Sequence, residues 1–269
     1  MNVLITGAAS GIGKAVVDSL LMLGHSVFGL DISELGERDG LTSFTLDVTD
    51  ASAVGGVADA LSERNIVLDA IVHAAGIHRM TSLVEGELDV MRRVVDVNLV
   101  GAMTVNRLLF SRLSKTGRIV IITSEVAPLD PLAFNGLYSL SKTALDSYAQ
   151  ALRQELGLIG INVVTVRPGA VATPLCSSSI TATDRLAEET VLYKKQAVHF
   201  SGIVKKFMGK PIPPEKFAPT VIRALTARRP RIIYSKNRNL GLILLSALPK
   251  RAQCAIIRML LNRKPHKTQ

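Results

Sequence analysis

The sequence predicts an α/β chain: a doubly wound parallel sheet with helices on both faces, three layers deep (α/β/α), in a single domain. Three observations predict it. Seven short apolar runs recur along the 269 residues, stretches of helical spacing separate them, and the first run empties into a glycine-rich turn. Runs too short for core helices and without polar alternation suit strands buried on both faces. Strand and helix in alternation then call for right-handed crossovers between parallel neighbours.

The elements follow in order. Val3-Leu4-Ile5 is the first strand, and Ser26 to Leu30 the second, ending at Asp31. Ser43 to Leu46 is the third, followed by Asp47-Val48; Ala70-Ile71-Val72 and Ile119 to Ile122 are the fourth and fifth. Val163 to Val166 is the sixth, and Ile232-Ile233-Tyr234 the seventh, behind a helix opened by Pro213-Pro214 and running to Arg228. No repeat or low-complexity tract interrupts the pattern. The sheet domain is expected over residues 1–236, including a segment at 174–212 rich in apolar side chains, and residues 237–269 form a basic, apolar helical extension.

Composition sets bounds on function. With 48% hydrophobic residues the chain can bury one substantial core. Cys176 and Cys254 stand far apart without metal-like spacing, which argues against a disulfide framework or a metal site. The N-terminus runs straight into a strand without the features of a signal peptide, so a cytoplasmic location is expected. Net charge is +10, unevenly placed: from Lys194 onward eighteen Lys and Arg meet one acid, Glu215, while the rest of the chain has 14 bases and 21 acids. Nucleic acid is the weakest partner for that basic quarter, because Trp is absent, aromatics are 4%, and the cations alternate with Leu and Ile.

The turn Thr6-Gly7-Ala8-Ala9-Ser10-Gly11-Ile12-Gly13 closes the first strand. Glycines there let backbone approach a pyrophosphate while the following helix presents its first amides to the negative charge. Asp31, at the end of the second strand, suits the adenosine ribose hydroxyls and repels a 2′-phosphate; two unit charges ~4 Å apart at an effective dielectric of ~20 repel by about 4 kcal/mol. Neither Ser10 nor Ile32 offers a compensating cation. NAD is therefore the expected cofactor. Asp47 can reach an adenine amino group or cap its own turn.

Tyr138 and Lys142, four residues apart, share a helix face downstream of Ser124. A phenol titrating near ~10 is a poor base at neutral pH. An ammonium close by, helped by the positive charge of an oxidised nicotinamide, is expected to lower it into a working range. Ser124, ending the fifth strand, would hold a substrate oxygen; Thr123 beside it is a second candidate.

From Thr6 to Thr173 these motifs, in order, resemble those of the short-chain dehydrogenases/reductases, whose fold is the Rossmann type. His73-Ala74-Ala75-Gly76 stands at the family's Asn-Ala-Ala-Gly position, and Asn98 lies in Val97-Asn98-Leu99. The resemblance implies a catalytic tetrad of Asn98, Ser124, Tyr138 and Lys142, with Asn98 holding a water that relays protons from Lys142. It also implies cofactor contacts from Thr6, Gly7, Ser10, Gly11, Ile12, Gly13, Asp31, Asp47, Val48, Ala74, Ala75, Gly76, Asn98, Tyr138 and Lys142. Pro168, Gly169, Val171 and Thr173 match the family's nicotinamide loop. His73 departs from the pattern and reads as a core histidine. A homodimer or homotetramer is implied, packed through the helices bearing Asn98 and Tyr138.

The segment after Thr173 corresponds to the family's substrate lid and carries Leu175, Ile180, Leu186, Val191, Leu192, Tyr193, Val198, Phe200, Ile203, Val204, Phe207 and Met208. Part of this set packs the lid onto the sheet; the rest is available to an apolar substrate. The region after it is similar to the C-terminal part of hydroxysteroid and retinol dehydrogenases. In the extension, Leu240 to Leu248 is too short to span a bilayer, which takes ~20 residues. The next helix sets Arg251, Arg258 and Asn262 against Ala252, Ile256, Met259 and Leu260. Two readings stand: a peripheral membrane contact, or a cap over the pocket or dimer contact. The expected activity is NAD(H)-dependent interconversion of alcohol and ketone or aldehyde on a bulky hydrophobic substrate such as a steroid, retinoid or other lipid. The alternatives are reduction of a 3-oxoacyl group on an acidic carrier protein, and a non-catalytic NAD-binding protein at a membrane.

Overall fold

A computed structural model describes residues 1–207 and 210–262. In chain order its strands are β1 Asn2–Thr6, β2 Ser26–Asp31, β3 Leu41–Thr45, β4 Leu68–His73, β5 Leu113–Ile122, β6 Asn162–Pro168 and β7 Ile233–Lys236. All seven coincide with the apolar runs. They form one parallel sheet in the order β3-β2-β1-β4-β5-β6-β7. The helices are α1 Gly11–Met22, α2 Ala51–Glu63, α3 Leu88–Val95, α4 Gly101–Leu109, α5 Gly136–Gly157, α6 Pro174–Glu189, α7 Lys194–Phe207, α8 Pro214–Thr226, α9 Leu240–Ser246 and α10 Lys250–Leu261.

Side chains alternate across each strand, which is why an unbroken apolar run is needed for a sheet covered on both sides. Val3 and Ile5 of β1 join Val72, Val120 and Val164 in a core beneath α1 and α8, where Leu20 and Phe217 are fully buried. Leu4, Ile71, Ile119 and Ile121 point the other way, into a core shared with Val54, Val105, Leu109 and Leu145 of α2, α4 and α5. A third, smaller cluster of Phe134, Leu186, Ala197, Phe200 and Leu261 joins the loop after β5 to α6, α7 and α10. It splits the lid's apolar set. Leu186 and Phe200 pack inward, whereas Val191, Leu192 and Val198 are exposed. Met208 and the side chains of Ile180 and Phe207 lie outside the described residues.

Helix α3 passes into α4 through a π-helical turn, Asp96–Val100. The whole stretch Leu88–Arg112 is long and apolar enough, by length and composition, to cross a membrane, but Val94, Asn98, Ala102, Val105 and Leu109 turn a buried face to the sheet. α8 ends at Thr226, short of the expected Arg228. The reason is Arg118 of β5, whose guanidinium donates to the carbonyls of Ala224 (2.7 Å), Leu225 (2.5 Å) and Ala227 (2.9 Å). These are C-terminal carbonyls that a helix leaves unpaired. Replacing this half-buried cation by an isosteric apolar chain, Arg118→Met, strands them; urea unfolding is expected to show a loss of about 2 kcal/mol.

Candidate active site

β1 and β4 are neighbours whose following helices cover opposite faces of the sheet, so a crevice opens at their carboxyl ends. Thr6 holds its floor: its hydroxyl oxygen accepts from Ala74 N and Ala75 N, both at 3.2 Å. A Cβ on Gly7 would lie 2.7 Å from Ala75 N, and one on Gly13 only 1.9 Å from the Gly7 carbonyl, so both approaches need glycine. The result is a cradle of bare backbone at the N-terminus of α1, which fits the pyrophosphate of a dinucleotide. One cavity of about 770 Å³ runs from this cradle to the lid.

Gly7, Ser10, Gly11, Ile12, Gly13, Asp31, Asp47, Val48, Ala74, Ala75, Gly76, Ser124, Tyr138, Lys142, Pro168, Gly169, Val171 and Thr173 all line that cavity. Thr6 and Asn98 do not; both act from behind its wall. Asp31 Oδ2 accepts from Ala9 N at 2.9 Å and Oδ1 from Ser33 N at 3.0 Å, which fixes the carboxylate beside the glycine turn. Asp47 is already committed. Its carboxylate accepts from Thr49 N (2.9 Å) and Thr49 Oγ1 (2.8 Å) and pairs with Arg93, so it caps its own turn while lining the cavity. Burial alone would raise its pKa, but those donors outweigh it and hold it low.

Tyr138 and Lys142 lie on the buried side of α5. Lys142 Nζ sits 6.0 Å from the phenol ring centroid and donates to the Ile122 carbonyl at 3.3 Å. Asn98, in the π-helical turn, is locked: Oδ1 accepts from Ile77 N at 2.8 Å, while Nδ2 donates to Ile77 O and Ser141 Oγ, both at 2.9 Å. Gly76 lies between them; a Cβ there would come within 3.2 Å of Asn98 Oδ1 and 3.3 Å of Lys142 Nζ. Ser124 stands beside the phenol and acts to lower its pKa, whereas Thr123 Oγ1 donates to Asp146 Oδ1 at 3.3 Å. Both residues line the cavity, and Thr123 has its hydroxyl engaged by Asp146.

In the cofactor-free chain, burial sets the balance at the phenol. Burial pushes Tyr138 up to about 12; Ser124 opposes this and Glu125 adds to it. Burial also pushes Lys142 down to about 8, so in the free protein each group favours its uncharged form more than it does in water.

Sequence reasoning passed over His78. It lies edge-on to Tyr138 with ring centroids 4.4 Å apart, and its nitrogens face Asn135 Oδ1 at 2.9 Å and Ser179 Oγ of α6 at 3.0 Å. Lid and phenol therefore touch through one ring. Its position two residues past Gly76, at the carboxyl edge of the sheet, was the available signal. Glu125 was missed too: its carboxylate, raised by burial, accepts from Asn239 N at 2.5 Å and so ties the loop after β5 to the C-terminal helices. His73, by contrast, is a core residue. Nε2 meets Asn106 Oδ1 at 2.8 Å, and burial lowers the ring to about 4, keeping it neutral.

At this fold and site the comparisons converge. The family model for short chain dehydrogenases matches residues 1–184. An uncharacterised oxidoreductase of Staphylococcus saprophyticus is 31% identical over 183 residues, 64% of this chain and 78% of that protein. Estradiol 17-beta-dehydrogenase 2 of Rattus norvegicus is 30% identical over 240 residues, 83% of this chain and 60% of that one. A short chain dehydrogenase family structure from Francisella tularensis superposes with a TM-score of 0.74 at 26% identity, covering 87% of this chain and 96% of that chain. The chain belongs to the short-chain dehydrogenase/reductase family, oxidoreductases that bind nicotinamide cofactors.

The two candidate hydroxyls separate experimentally. Ser124→Ala is expected to lower kcat by ~10²-fold or more through loss of an oriented donor, and Thr123→Val to leave it within a few-fold, in steady-state assays of both variants.

Proposed function

We propose that this protein is an NAD(H)-dependent alcohol dehydrogenase and ketone or aldehyde reductase acting on bulky hydrophobic substrates. The observation that carries the substrate class is the far end of the cavity. Leu132, Leu175, Phe200, Ile203 and Val204 line it from the lid side, and Leu242, Leu245, Ile256, Ile257 and Leu260 line it from α9 and α10. A small polyol would leave such a wall wet, whereas burying apolar ligand area there gains roughly 25 cal/mol per Å². The likeness to an estradiol dehydrogenase over 83% of this chain supports the same reading. Asp31, held by Ala9 and Ser33 at the end of β2, supports NAD over NADP.

The bound dinucleotide would supply or accept the hydride. Ser124 would donate a hydrogen bond to the substrate oxygen and hold it against Tyr138. In reduction the phenol, fully protonated at neutral pH, gives its proton to that oxygen; in oxidation it takes one, with the Lys142 ammonium stabilising the phenolate. Apolar walls keep bulk water from competing. Exposed Met103 on α4 and Leu140 on α5 support a homodimer through those helices.

NADH formation across a panel of steroid, retinoid, long-chain and small polar alcohols tests the reading. Turnover confined to the hydrophobic members, lost in Tyr138→Phe and at least ~10-fold poorer with NADP, is expected; turnover of small polar alcohols alone would overturn it. The pH dependence follows from Lys142. Because its folded-state pKa is lowered to about 8, its charge is present below that pH and lost above it. Reductive kcat/KM is therefore expected to fall above about pH 8, and Lys142→Arg to carry the plateau to higher pH, measured as a pH–rate profile.

A further inference from the structure

The C-terminal helices have two faces, and the cavity accounts for one of them. On the other, Leu240 is 73% exposed, Leu244 69% and Leu248, just past α9, 39%. A four-residue spacing sets these three on one stripe. On α10, Met259 is 54% exposed, although the sequence pattern grouped it with the inward Ile256 and Leu260; Arg251 and Arg258 are exposed with it. Lys250 is already paired with Asp130. No acid follows Glu215, while thirteen Lys and Arg do.

An exposed apolar stripe on α9, followed on α10 by exposed Arg251 and Arg258 that make no ion pair among the described residues, matches one environment better than the others. A second copy of this surface would set cation against cation. An anionic bilayer offers an apolar boundary for the leucines and negative headgroups for the arginines, and helices of 7 and 12 residues can lie in that plane but not cross it. We propose that the outer face of α9 and α10 docks on anionic lipid surfaces. The leucine stripe enters the headgroup–acyl boundary, and Arg251 and Arg258 sit among phosphates. The surface does not depend on what the cavity turns over. Where it deepens the substrate assignment, it rests on that proposal: the helices walling the apolar end of the cavity would then lie on a reservoir of apolar alcohols.

The test is co-sedimentation of the full chain with phosphatidylcholine vesicles, with and without phosphatidylglycerol, and no enzyme substrate present. Expected is binding that increases about ten-fold or more with the anionic lipid and falls as salt is raised. Leu240→Glu/Leu244→Glu and Arg251→Glu/Arg258→Glu should each lower it by about ten-fold, with the thermal unfolding midpoint and the circular dichroism spectrum unchanged. Equal binding to neutral vesicles, or no binding to either, overturns the proposal. So does a solution oligomer that the leucine variants dissociate, since the face would then be a self-contact. Vesicle binding without turnover of any hydrophobic alcohol would instead overturn the substrate assignment and leave the docking surface standing.

Discussion

Tyr138 and Lys142, one turn apart on α5, are held almost entirely out of water, and much of the surrounding architecture serves that burial. A phenol and an ammonium in an apolar site each need partners, because an unpaired buried polar group costs several kcal/mol and an unpaired charge more. The ends of parallel strands supply them: Ser124 beyond β5 for the phenol, and the Ile122 carbonyl within β5 for the ammonium. Behind them the π-helical turn aims Asn98 at Ile77, fixing the loop that brings Gly76 against Lys142. Departures from regular helix geometry often mark functional sites, and here the extra residue lets one side chain serve backbone and Ser141 together.

The second half of the site is assembled from distant chain. Asp130, in the loop after β5, donates its backbone N–H to Ser246 Oγ at 2.9 Å, and its carboxylate pairs with Lys250 and accepts from Gln253 Nε2 at 2.7 Å. The Glu125 carboxylate accepts from Asn239 N. On the lid side, Glu85 accepts from Val191 N and Leu192 N, both at 2.9 Å, and His199 faces the Leu261 carbonyl at 2.8 Å, so α6, α7 and α10 close on one another around Phe134 and Phe200. The loop after β5 thus fastens the extension through Glu125 and Asp130 and meets the lid through Phe134.

Much of this was legible in the chain itself. A parallel strand covered on both faces has to be apolar throughout, so the seven runs announced the sheet, and the family's ordered motifs announced the crevice. What a run of letters does not carry is the environment that distant segments create. Lys142 reads as a neighbour that lowers Tyr138, but the two share a desolvated pocket, and in the cofactor-free chain burial raises the phenol while the Lys142 nitrogen stands 6.0 Å from the ring centroid. Asp47 reads as an adenine partner or a turn cap, and nothing near it in the chain announces Arg93, 46 residues on, which pairs with it. His78 becomes part of the site only when α6 brings Ser179 to it, 101 residues later.

The extension has a further consequence that concerns the order in which the chain is made. All seven strands, the glycine cradle and the whole tetrad lie within residues 1–236, so a nascent chain at that point holds every part of the cofactor cleft. The apolar end of its cavity is still unroofed. Leu132, Leu175 and Phe200 face the missing wall until α9 and α10 emerge and Asp130 engages them. The substrate chamber is thus completed only after the cofactor cleft in chain order, and until α9 and α10 have been made its apolar end stands open, the kind of exposed surface that makes an incomplete fold prone to aggregate.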